Sequence, residues 1–152
     1  MRRMLSYGLL VAGLLVSPAL ASAGERDGTL SVRNATGAVA VAARGTLFGH
    51  CDRCTVVITD PDPNEGRPPV VTPLSVVRVQ LSETRTSYSG NDLRFRVIGG
   101  FFRVKVAGTG IDISTVAMGA ATLADGTSGS YSVGGGPFQS MPGVRTAVSL
   151  GG

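Results

Sequence analysis

The sequence predicts an all-β fold, a single small antiparallel β-sandwich or meander of short strands, with a short β-solenoid as the alternative. Three observations predict it. Apolar residues alternate with small or polar ones through most of the chain after residue 24, the pattern of half-buried strands. The starts of these apolar stretches recur every eight or nine residues, a spacing typical of sandwiches and barrels but also of coiled repeats. Finally, 22 of the 152 residues are glycine and only 16% are charged, against a usual charged share of about 25%. That composition excludes a charged disordered tail, a coiled coil and a disulfide-dense miniprotein, and it leaves few good helix formers.

The chain opens with a different signal. Arg2 and Arg3 precede an apolar stretch from Leu5 to Val16, Pro18 ends it, and Ala21-Ser22-Ala23 follows. A positive n-region, a short h-region and an A-x-A site describe a cleavable secretory signal over 1–23. The apolar run falls short of the ~20 residues that span a bilayer. The expectation is therefore export, to the periplasm, the cell envelope or the medium, with one β-rich domain over 24–152 and no transmembrane segment in the mature chain. Losing Arg2 and Arg3 halves the formal net charge of +4, which is too little to suggest nucleic acid as a partner.

In the first block, stretches starting at Gly28, Gly37, Gly45 and Cys54 each carry a strand, with turns at Asn34–Gly37 and Arg44-Gly45. Asp60 to Pro69 holds four prolines, and Pro73 follows, so 60–73 reads as an exposed surface loop. Beyond it, Val77/Val79/Leu81, Leu93/Phe95/Val97, Phe102/Val104/Val106 and Ile111/Ile113 each alternate as half-buried strands, and the eight residues from Leu93 to Ile113 are expected to be buried together. Further strands are expected around Tyr131–Val133 and over Val144–Leu150.

Gly99-Gly100 suits a two-residue hairpin turn. Pairing outward from it sets Val97 against Phe102 and Arg96 against Arg103. The apolar residues then share one face, while Arg94, Arg96, Arg103 and Lys105 share the other. A turn at Gly108–Gly110 would return Asp112 beside Lys105. Such a face would meet an anionic partner, either an acidic envelope polymer or an anionic membrane surface, because the arginine fork suits phosphate and carboxylate.

The catalytic inventory is thin. The chain has one histidine, His50, so no site needing two imidazoles can be built, and neither a G-x-S-x-G elbow nor a Walker A pattern occurs. The one sharp cluster is His50-Cys51-Asp52-Arg53-Cys54. A thioredoxin-like pair needs a helix after its first cysteine, whereas Thr55-Val-Val-Ile-Thr makes a strand. Zinc would have Cys51, Cys54 and His50 but no second ligand pair. A disulfide clipping a turn is the simplest reading for an exported chain.

The run Tyr88-Ser-Gly-Asn-Asp-Leu-Arg-Phe-Arg, then Gly99-Gly100, then Gly108-Thr-Gly-Ile-Asp-Ile-Ser-Thr-Val resembles a set of small exported bacterial β-rich proteins of unknown function, and 28–60 resembles the same set. The resemblance implies a fold and an address but no activity. In the similar sequences the position of Cys54 tends to hold glycine, which makes the cysteine pair a local departure. The functional expectation is thus a non-enzymatic structural or binding module, without cofactor or metal. The alternative is an exported thiol–disulfide or metal-linked activity at Cys51 and Cys54.

Overall fold

The structure, a computed structural model, describes residues 26–152, so the secretory signal expected over 1–23 lies outside the described residues. Every regular element among them is a strand: β1 (Gly28–Thr59), β2 (Arg67–Thr72), β3 (Val77–Gln80), β4 (Arg85–Val133), β5 (Gln139–Ser140) and β6 (Thr146–Leu150). All pairings are antiparallel. The all-β expectation holds.

Instead of many short strands, two long ones carry the fold. β1 pairs with β4 on both of its edges: Val41 faces Val104 on one side and Ala121 on the other, and Val104 in turn faces both Val41 and Ile58. A strand that meets two separate stretches of the same partner must be wound. The β1/β4 ribbon therefore coils on itself, and its passes stack into two layers. One layer runs β2, 94–98, 46–51, 112–117, 28–33, 130–133, β5; the other runs β3, 86–89, 55–59, 103–107, 38–44, 119–123, β6. The nine-residue rhythm is the length of one pass with its corner. Neighbouring passes are antiparallel, so the sandwich reading stands over a parallel-stacked solenoid.

The corners are where the expected turns fail to reverse the chain. Gly99 and Gly100 have φ of 75° and 72°, a region that L side chains rarely adopt, yet no hairpin forms around them. Arg94 and Arg96 are held by β1 on one edge, at His50 and Phe48, and by β2 on the other, at Thr72 and Val70. With both edges taken, no place is left for 101–105 alongside. The chain instead crosses to the second layer, where Arg103 lies between Ala42 and Thr59 and Lys105 between Ala40 and Val57. Arg96 and Arg103 are not opposed, and Asp112 neighbours His50 rather than Lys105. Gly108 makes a similar corner, at φ 153°, where a Cβ would overlap the carbonyl of Arg53.

Alternation within each pass turns one side of each layer inward. Leu93, Phe95, Val97, Phe102, Val104, Val106, Ile111 and Ile113 are all buried in a single core with Leu30, Val39, Leu47, Val56 and Leu123. A hairpin and a wound corner bury the same residues, since inward positions switch from odd to even numbers across Gly99-Gly100 in both. That degeneracy explains how the burial expectation holds while the pairing expectation fails.

Two further expectations are corrected. The Pro-rich loop is 60–66 rather than 60–73, because 67–72 pairs as the edge strand β2. Its register shifts between Arg67 and Val70, so the ladder skips Pro68 and Pro69, which have no N–H to give. Val77, Val79 and Leu81, expected to be half-buried, are exposed. In the edge strand β3, Arg78 and Gln80 take the inward-pointing register at the rim opposite Tyr88 and Thr86, and the Arg78 guanidinium lies 5.9 Å from the centre of the Tyr88 ring.

Candidate functional site

The cysteine pair sits at a corner. Cys51 ends a pass of the first layer and Cys54 begins one of the second, and their sulfurs are within disulfide distance. Both side chains turn inward and are buried. Cys54 occupies a corner equivalent to those of Gly37 and Gly45, and it faces Gly90 and Gly108 across the ladders. No helix begins there to lower a thiol pKa. His50, adjacent to Cys51 on a strand, points to the opposite side, so the three residues considered together as zinc ligands are divided between core and surface.

His50 has partners that the sequence did not disclose. Its Nε2 lies 2.6 Å from Asp92 Oδ1 and its Nδ1 lies 3.6 Å from Asp112 Oδ2. Asp112 also accepts a hydrogen bond of 2.9 Å from the Asn34 backbone N–H, at the left-handed corner residue Asn34. The imidazole therefore ties three neighbouring passes together on the outer side of the first layer. The hydrogen bond from His50 holds the Asp92 carboxyl below the usual aspartate range; slight desolvation opposes this, and the attraction of His50 and Arg94 assists it. The arrangement braces a surface, and Ser31 and Ser114 line the open groove beside it.

The four basic residues singled out from the sequence do not form one face. Arg94 and Arg96 stand on the first layer around Phe48 and His50, whereas Arg103 and Lys105 stand on the second. There Arg85 joins them through the row Arg85–Thr59–Arg103. The three cations edge a shallow trough of about 480 Å³ whose floor is Ala40, Ala42 and Ala120. Among the described residues the ion pairs are Arg44–Glu65 and those of His50 with Asp92 and Asp112, so none of the three trough cations is paired. Arg85 was missed because it begins β4 beyond the expected hairpin; no local signal ties it to Arg103, which is reached only through β1.

Neither a family model, a curated protein nor a solved structure matches the chain. No helix of the described residues is long and apolar enough to cross a membrane.

Proposed function

We propose that this protein is an exported, non-enzymatic β-domain that serves as a binding module of the cell envelope or extracellular space, and that its second layer receives an anionic partner. The observation that carries the reading is the trough edged by Arg85, Arg103 and Lys105. Three unpaired cations beside an alanine floor offer charge and close approach together, and the planar fork of arginine suits carboxylate or phosphate groups. The cysteine pair supports the exported address, since disulfides persist in oxidising compartments. Its burial also favours a clip over a redox centre, because exchange requires an attacking thiolate to reach a sulfur.

The test is retention of purified protein on a polyglutamate matrix at 50 mM and 500 mM NaCl. Wild type is retained at low salt and released at high salt, and Arg85→Ser/Arg103→Ser/Lys105→Ser passes through at both. Retention unchanged by the triple substitution, or an insulin-reduction activity abolished in a Cys51→Ala/Cys54→Ala variant, overturns the reading.

A further inference from the structure

The second layer carries an unusual edge. β3 forms an antiparallel pair with 86–89, setting Val77 beside Ser89 and Val79 beside Ser87. Residues directly opposite in an antiparallel pair share a face. Ser87 is followed across the layer by Val57 and then Lys105, and Arg85 by Thr59 and then Arg103. Val77 and Val79 therefore stand on the same outer face as the cations. Leu81 continues the alternation and donates its backbone N–H to the Arg85 carbonyl at 2.9 Å, which places it next to Arg85. Their exposures, 64% for Val77, 49% for Val79 and 50% for Leu81, leave an apolar strip in water. From Val79 to Lys105 is three strand spacings, about 14 Å.

We propose that the occupant of this face is an anionic lipid surface, with Val77, Val79 and Leu81 entering the headgroup boundary while Arg85, Arg103 and Lys105 meet lipid phosphates. This deepens the reading of the trough as an anion-binding site and rests on it. The choice of occupant follows from what must be satisfied. An acidic polymer would answer the three cations and leave the apolar strip wet. A second copy docked face to face would bury the strip but, since the trough lining holds no carboxylate, would leave the cations unanswered. An anionic membrane surface answers both, because interfacial binding sums buried apolar area and attraction to anionic headgroups. Glu83 lies in the turn between Leu81 and Arg85 and lines a pocket with Arg78, Gln80, Thr86 and Tyr88, the residues of the opposite register.

The experiment is flotation with phosphatidylcholine vesicles, with and without 30 mol% phosphatidylglycerol, at 0.1 M and 1 M NaCl. Wild type floats with the anionic vesicles at low salt and stays behind with the neutral ones. Each cation removed from the trough lowers partitioning roughly fivefold, so Arg103→Ser/Lys105→Ser loses about 25-fold. Val77→Ser/Val79→Ser/Leu81→Ser loses roughly tenfold or more yet keeps wild-type retention on polyglutamate and a cooperative melting transition, since about half or more of each side chain is exposed. Vesicle binding that survives this apolar triple substitution overturns the lipid assignment. So does polyglutamate retention without any flotation, which leaves the anion-binding reading standing; loss of both removes the two together. A wild-type dimer that the apolar triple variant abolishes would make the strip a contact between copies and likewise overturn the proposal.

Discussion

Phe95 lays its ring over the backbone of Gly49, its partner across the β1/β4 ladder, so closely that a Cβ at Gly49 would overlap the ring edge. The pair shows how the two long strands are fitted: an inward position left empty in β1 is filled by an aromatic from β4, and that ring is buried.

Gly49→Ala should therefore destabilise the domain by about 1–3 kcal/mol through overpacking. Reducing the partner, in Gly49→Ala/Phe95→Leu, should recover part of that loss, a coupling that separates a steric clash from a general strand effect. Urea denaturation of the two single variants and the double variant measures it. Strictly additive losses would contradict the contact.

The wound path makes a cross-linking prediction. Ala42 and Arg103 are ladder partners, and partners in an antiparallel pair have Cα atoms ~4.5–5.5 Å apart, within disulfide reach. Ala42→Cys/Arg103→Cys should form an additional disulfide under mild oxidation. Arg96→Cys/Arg103→Cys, which a hairpin at Gly99-Gly100 would join, should remain reduced. Peptide mapping decides between the two, and the opposite pattern would restore the hairpin.

Acid should release the His50 brace in a defined direction. The Asp92 carboxyl is held below its ordinary value in the folded chain, so its contribution is full above the unfolded aspartate value and is lost as pH falls through the lower folded value. The stability gap between wild type and Asp92→Asn should be present above the ordinary aspartate value and close as pH falls through the lower folded one. Because Asp92 is exposed, that gap should be small. Carboxyl NMR should place the Asp92 midpoint below the ordinary range, and His50→Asn should move it back up. A midpoint at or above the ordinary value contradicts the geometry.

Much of the fold was legible because burial depends on alternation, and alternation is local. Leu93, Phe95 and Val97, then Phe102, Val104 and Val106, declare an inward side whatever the chain does at Gly99-Gly100. The path was not legible because a pair of glycines permits both a reversal and a crossing, and the choice is made elsewhere: β2 and β1 occupy the two edges of 94–98. Val77 and Val79 misled for a related reason. Their alternation is genuine, but an edge strand at a rim can present either side inward, and here Arg78 turns toward Tyr88. The partners of His50 were out of reach altogether, Asp92 being 42 residues away in sequence.

The corner at Gly99-Gly100 sorts four basic residues onto two layers, and on the proposed reading the second layer alone binds anions. Salt-dependent retention on polyglutamate, compared for Arg103→Ser/Lys105→Ser and Arg94→Ser/Arg96→Ser, separates the two layers because each pair removes the same formal charge. The first pair of substitutions should abolish retention at 50 mM NaCl, while the second should leave the elution position within the small shift expected from net charge. Equal losses from both pairs, or a greater loss from Arg94→Ser/Arg96→Ser, would contradict that reading.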